Sequence, residues 1–406
     1  MRKTLTVFIL TVVALLGVGI VVMASASASQ LGTPDHYFKR QLMWLFLAIA
    51  VGFTLSRFNY HNWEKWLSVK NQPLLPAFFY MTVVILLALT LCPGLKREIN
   101  GSYRWLVLGP VSIQPGEFAK LAIIIATAAW MSHIKRRVAP AVVPVPLSRE
   151  DYAKGRLMNF IREIVVPGLL LGVFVILLYL EKDLGAAAVI CVLGMALMCV
   201  AGMRKVYLVS FGLTAVAFGT WWIRNDKTRL DRFNGWWQFL IDPSSATDVN
   251  NHVQQSVIAF KSGGLWGTGL NKGIQKYQYL AEAHTDFVAA IGAEELGFFF
   301  SIGVLVAYAI LLVSGTLISL RAPDRLGRLL GFGMVLLLVF QGAFNIGVVT
   351  GAFPTKGLAL PFISYGGSNL ITAMFAVGTL LNIGMQVDEH EERTCKHVDR
   401  KVLNEA

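Results

Sequence analysis

Ten stretches of this chain, near 4–24, 41–56, 74–92, 117–132, 164–180, 184–202, 206–222, 296–318, 328–350 and 369–385, are apolar over lengths close to a bilayer crossing. A helix needs roughly 20 apolar residues to cross the hydrocarbon core. Lipid offers the backbone no hydrogen bonds, so a crossing segment is either a helix or a strand of a closed barrel. These runs are continuously apolar and lack the period-two alternation of barrel strands. The expectation is an all-α, polytopic membrane protein with about ten transmembrane helices and one large extracytoplasmic loop. A hydrophobic share of 55%, with 25 Phe and 10 Trp, excludes a set of soluble domains of the same length.

The resulting organisation is seven helices over 1–222 with an inner loop near 133–163, a large outer loop over 223–287, three helices over 288–385, and a tail over 386–406. The first run follows a basic Arg2-Lys3 start and ends in small residues around Ala24 and Ala26, as a secretory signal does. Its apolar part is longer than a signal peptide's core of about 7–15 residues, and it is expected to stay as the first helix. Lys and Arg are in excess on the segments that this count puts inside, so both termini are expected in the cytoplasm. The net charge of +12 is then mostly an inner-face match to anionic lipid headgroups. No basic stretch is interleaved with aromatics in a nucleic-acid-binding pattern. The four cysteines fall at one helix end, twice within one run, and in the tail, which is neither a disulfide framework nor a metal site.

Polar residues gather in three outer segments. In 101–121, Gln114 and Pro115 open a helix on which Glu117 and Lys120 stand three residues apart, as a structural ion pair or as the wall of a polar cavity. In 223–287, Gly263, Gly264, Gly267 and Gly269 superficially match a phosphate-cradling loop, but no strand precedes them, so tight turns are expected. Asp286 at the end of this segment has two readings that spacing alone leaves level. One is a cap for a helix beginning near Phe287; the other is a general base whose pKa is raised at an apolar boundary. In 351–370, two prolines and several glycines break any helix, while Lys356, Ser364, Tyr365 and Ser368 supply donors. Non-helical backbone at membrane depth is tolerated only when it is buried in protein or lines a wet cavity.

The motifs "YRWLVLGPVSIQPGEFAK", "KDLGAAAV", "QSVIAFKSGGLWGTGL", "EAHTDF" followed by "EELGF", and "PFISYGGS" identify the chain as resembling the SEDS family of polytopic peptidoglycan glycosyltransferases, through nearly all ten runs. Gln275-Lys276 and Pro354-Thr355-Lys356-Gly357 look more like the division branch of that family than its elongation branch. Gly116, Ala281 and Ala293 depart from the usual Ser or Ala, Pro, and Gly, which touches loop stiffness more than chemistry. The resemblance implies that Asp286 is the catalytic carboxylate and that Arg104 and Lys356 are cations lining the substrate cavity. Lys276, Glu117, Lys120 and Ser368 complete the expected substrate-binding set. It implies as substrate lipid II, the undecaprenyl-pyrophosphate-linked disaccharide peptide. It implies as partners a class B penicillin-binding protein transpeptidase and the divisome proteins, at the cytoplasmic membrane of the septum.

The chemistry is consistent with that set. The 4-hydroxyl of one disaccharide attacks the anomeric carbon of another, and the leaving pyrophosphate is already a stable anion. One base therefore suffices, where glycosidases use two carboxylates. Cations must stabilise the growing phosphate charge, from Arg, Lys or a divalent ion such as Mg or Mn, and no cofactor is required by the residues themselves. Competing readings are an elongation-type polymerase, a lipid II flippase, whose critical residues would be spread along a path through the membrane, and a silent divisome scaffold.

Overall fold

The computed structural model describes residues 1–28, 36–61, 74–92, 98, 102–109, 111–134, 157–158, 160–242, 251–277 and 284–405, with the backbone alone at 36, 74, 108, 111, 251, 390 and 392–405. Glu282, Ala281 and most of the segment 134–151 lie outside the described residues.

Among the described residues there are twelve α-helices: α1 (Arg2–Ala28), α2 (His36–Arg57), α3 (Leu74–Thr90), α4 (Pro115–His133), α5 (Val166–Leu180), α6 (Leu184–Val200), α7 (Lys205–Arg224), α8 (Lys227–Ile241), α9 (Asn251–Gly263), α10 (Val288–Leu320), α11 (Arg325–Val349) and α12 (Gly367–Glu405). A π-helical turn, Ile161–Val165, leads into α5. Each expected apolar run falls on a helix, and 7 of the helices are long and apolar enough to cross a membrane. The chain is a multi-pass, helical membrane protein.

Three local features differ from the expectation. The apolar stretch after Trp105 is a small hairpin of β1 (Leu106–Leu108) and β2 (Val111–Ile113), with Leu106 opposite Ile113 and Gly109 in the left-handed region at φ 63°. The segment 223–287 contains two helices, α8 and α9. The third is in α10, which starts at Val288 as expected but is broken at Gly297, where φ is 78° and ψ is −165°.

The chain divides into two compact units. The first is built from Met1–Asn59, Ala217–Pro323 and Met334–Ala406. Here α2 lies along α12, and α1 and α9 pack against α10. Gly52 and Gly378 face each other so closely that a Cβ on Gly378 would run into the Gly52 carbonyl. That backbone approach is how small residues join helices that have no hydrophobic drive to associate in lipid. Asn382 Nδ2 adds a hydrogen bond to the Ser56 carbonyl at 2.9 Å. The second unit is Tyr60–Val216 with Asp324–Gly333. Its centre is α4, buried from Ala119 to Ala126 and contacted by α3, α5 and α6.

Candidate active site

In the first unit, Gly263, Gly267 and Gly273 lie so near the first half of α10 that a Cβ on any of them would run into it. A Cβ on Gly297 would meet the Leu265 carbonyl and the Gly267 amide, and one on Gly267 would meet the Glu295 carbonyl. Gly264, Gly267 and Gly269 all have positive φ, so the expected turns are present. The loop laces onto the first half of α10 through Thr268 N to the Glu294 carbonyl at 2.9 Å and Gly269 N to the Glu295 carbonyl at 3.1 Å. Phe298 N, freed by the break at Gly297, donates to the Gly264 carbonyl at 2.9 Å.

Two buried carboxylates close this lacing. Glu294 Oε1 accepts from Ile274 N at 2.8 Å, and Glu294 Oε2 from Gln275 N at 3.2 Å. Glu295 Oε1 takes the Lys276 ammonium at 2.8 Å and the Ser25 hydroxyl of α1 at 2.7 Å. Lys276 Nζ also donates to Ser25 Oγ at 2.8 Å and Asn271 Oδ1 at 2.6 Å. An ammonium has three protons, and all three are engaged here. The side chains of Lys276 and Glu295 are 0% and 1% exposed.

The chain re-emerges into the described residues at 284, forms a turn over 284–287, and enters α10 at Val288. Phe287 occupies the cap position with no side-chain cap hydrogen bond, so Asp286 stands one residue before the cap. Asp286 is half-buried, and its carbonyl accepts from Asn345 Nδ2 at 2.8 Å. The same amide donates to the Leu358 carbonyl at 2.7 Å. Leu358 N returns to the Lys356 carbonyl at 2.9 Å. One buried amide of α11 thus ties the Asp286 turn to the segment that carries Lys356, itself half-buried. On the other side Tyr365 N donates to the His284 carbonyl at 3.0 Å, and Tyr37 of α2 lies over the His284 ring at 4.4 Å. Gln41 Nε2 fastens α2 to the Ser364 carbonyl at 3.3 Å. Ser368 is buried at the start of α12.

Of the expected residues, Asp286, Lys356, Lys276 and Ser368 belong to this unit, and Arg104, Glu117 and Lys120 to the second. Asn345 was missed. Its signal is a polar amide within an apolar run, a feature it shares with Gln341 and a costly one at membrane depth.

In the second unit Lys120 Nζ sits 2.6 Å from Glu117 Oε1, with both side chains buried. Arg104 is half-buried, and its Nε is buried without a hydrogen-bond partner among the described residues. The residue before it is pinned by Tyr103 N to the Glu181 carbonyl at 3.0 Å. Glu181 stands at the turn between α5 and α6 and is fully buried. Its Oε1 is 2.5 Å from Thr90 Oγ1, which also has the Leu87 carbonyl at 2.7 Å. A hydroxyl proton serves one acceptor at a time, so a proton on Glu181 satisfies both contacts. Burial pushes the Glu181 carboxyl up to about 8; the Thr90 hydroxyl opposes this and the Asp183 charge adds to it.

The sign follows from proton counting. Between the ordinary carboxylate value and about 8 the folded chain holds a proton that the unfolded chain has released. Stability therefore falls as pH rises through that window and levels off above it. Glu181→Gln keeps a neutral hydrogen-bonding side chain. Its thermal midpoint in detergent is expected to decline less than the parent's over that window. Equal declines would remove Glu181 as the cause.

Among the described residues, no group of three or more His, Cys, Asp or Glu side chains is arranged to hold a metal ion.

The chain is thus a polytopic helical membrane protein in which a half-buried carboxylate, Asp286, and a half-buried lysine, Lys356, lie on segments tethered to one amide. The chain belongs to the FtsW/RodA/SpoVE family, described as cell cycle proteins, whose model matches residues 4–389. It is similar to a probable peptidoglycan glycosyltransferase FtsW of Trichlorobacter lovleyi, at 35% identity over 93% of this chain and 92% of that one. A protein of the same description from Coxiella burnetii is 33% identical over 94% of this chain and 96% of its own. Among solved structures, one chain of a peptidoglycan synthase complex that coordinates polymerization and crosslinking is 28% identical, covers 94% of this chain and 97% of its own, and has a TM-score of 0.69. The rod shape determining protein RodA of Thermus thermophilus is 27% identical, covers 93% and 95%, and has a TM-score of 0.63.

Proposed function

We propose that this enzyme, a peptidoglycan glycosyltransferase, polymerises lipid II into glycan strands during cell division, with Asp286 as the general base. The observation that carries the reading is the tether at Asn345, which holds the Asp286 turn and the Lys356 segment on one amide. Asp286 takes the proton from the acceptor 4-hydroxyl as that oxygen bonds to the donor's anomeric carbon. The bond from that carbon to the pyrophosphate oxygen breaks, and the pyrophosphate leaves with the electron pair. Lys356 and Arg104 bind donor phosphate. Glu117 and Lys120 shape the polar cavity, and Ser368 lines the substrate region. Lys276 serves substrate binding indirectly, by locking the loop onto α10. Ten crossings, cytoplasmic termini, residence at the septum, and partnership with a class B penicillin-binding protein and other divisome proteins complete the proposal. Support comes from relatives named FtsW and from the complex noted above.

The decisive experiment is polymerisation of lipid II by purified protein in detergent, with and without the candidate transpeptidase. Glycan made where no two leaflets exist cannot come from a flippase. No glycan under either condition would leave the flippase or scaffold reading standing. The division assignment rests on Gln275-Lys276 and Pro354–Gly357, and depletion is expected to give long cells with blocked septa. Round cells that still divide would move it to the elongation branch.

Arg grips phosphate as a planar fork and Lys as a point charge. Arg104→Lys is therefore expected to lower lipid II turnover despite keeping its charge, as is Lys356→Ala. Parental rates in both would remove them from donor binding.

A further inference from the structure

α8 meets three environments around its circumference. One face is packed against protein: Gly235 and Phe239 are buried, Trp236 Nε1 donates to the Gly351 carbonyl at 3.1 Å, and a Cβ on Gly351 would press into the Phe239 ring. The rest is exposed, yet it is not uniform. Phe233, Trp237, Leu240 and Ile241 are 39%, 54%, 46% and 71% exposed. Their spacing of i, i+4, i+7, i+8 puts them on one stripe. Beside it Lys227, Asp231, Asn234 and Gln238, at i, i+4, i+7, i+11, form an exposed polar stripe. Water accounts for the polar stripe. It does not account for four large apolar side chains in a row, including a tryptophan.

The position of α8 names the missing environment. α7 is long and apolar enough to cross a membrane, and only 6% of its most apolar window is buried within the protein. Two residues, Asn225 and Asp226, separate its end from α8. The junction is rigid: Asn225 Nδ2 donates to the Trp221 carbonyl at 2.9 Å, and the Arg229 guanidinium lies 4.6 Å over the Trp222 ring and 3.4 Å from Asp226. α8 therefore starts at the depth where a spanning helix leaves the bilayer. With 15 residues it is about 22 Å long, too short and too polar to cross.

We propose that α8 lies in the membrane–water boundary, with its Phe233–Trp237–Leu240–Ile241 stripe in the lipid headgroup–acyl zone and its Lys227–Asp231–Asn234–Gln238 stripe in water. Trp237 then sits where membrane proteins concentrate tryptophan. Lipid is favoured over a protein partner because α8 follows, after two residues, a helix that is apolar enough to span and almost unburied within the protein. This inference does not depend on the proposed reaction.

The test places a nitroxide on the full-length chain at Trp237→Cys, Ile241→Cys, Asn234→Cys or Gln238→Cys, with the four native cysteines replaced by Ala. The protein is inserted in vesicles of phosphatidylethanolamine and phosphatidylglycerol. Collision rates with oxygen, which concentrates in lipid, and with a water-soluble nickel chelate are compared. Oxygen is expected to prevail several-fold at 237 and 241, and the chelate at 234 and 238. Nickel access at 237 and 241 equal to that at 234 and 238 overturns the inference. So does shielding of 237 and 241 from both probes, which is the sign of a protein partner or a second copy. A measurement with native cysteines guards against loss of fold. The difference in emission between the parent and Trp237→Phe is expected to be quenched by phospholipids brominated near the carbonyl, and an unquenched difference counts against lipid contact.

Discussion

Asp286→Asn is expected to fold and insert like the parent and to polymerise lipid II about 10²–10⁴-fold more slowly, the usual value of a positioned general base. The substitution leaves the tether and the helix cap of this turn in place. The Asp286 carbonyl, not its side chain, is what Asn345 holds, and the helix cap position belongs to Phe287. Asn has the same shape and caps helices as well as Asp does. What it lacks is a carboxylate oxygen that can take up a proton. The measurement is initial rate of glycan formation, beside a thermal midpoint showing that the fold survives. A parental rate with a parental midpoint would sink the assignment and turn attention to Glu282.

How much of this was legible depends on the range of the interactions. The helices were, because lipid forces a continuous apolar run to become one whatever its neighbours are. The turns at Gly264, Gly267 and Gly269 were too, since positive φ is a local demand that glycine meets. The break at Gly297 was not. A glycine in an apolar run is commonplace, and only the approach of the 265–267 backbone makes this one a break. The hairpin at 106–113 was hidden for a related reason: Leu-Val-Leu reads as apolar whether it packs as strand or helix. Within the site, Asp286 and Lys356 stood out as charges at apolar boundaries. The amide that joins their segments did not, because Asn345 is 59 residues from one carbonyl it holds and 13 from the other. The buried shell around Lys276 was hidden most thoroughly. Its charge invited a substrate-binding reading, and the serine that completes its shell lies 251 residues away.

That shell makes a second large effect accessible to measurement. Lys276→Met is expected to cost about 3–5 kcal/mol of stability, because it strands the Glu295 carboxylate in a buried site without its cation. Glu295→Gln should cost a similar amount by stranding the ammonium. The double variant, Lys276→Met with Glu295→Gln, leaves two neutral groups and should recover much of the loss, since replacing a whole buried pair is far milder than halving it. The non-additivity is therefore the signature to look for in a double-mutant cycle read from thermal or denaturant unfolding. Activity separates this from a direct role. An ammonium already bound to Glu295, Ser25 and Asn271 has no proton left for a phosphate, so the double variant should regain lipid II turnover along with its stability. If Lys276→Met instead unfolds at the parental midpoint while turnover collapses and stays collapsed in the double variant, the ammonium is acting on substrate and the clamp is incidental.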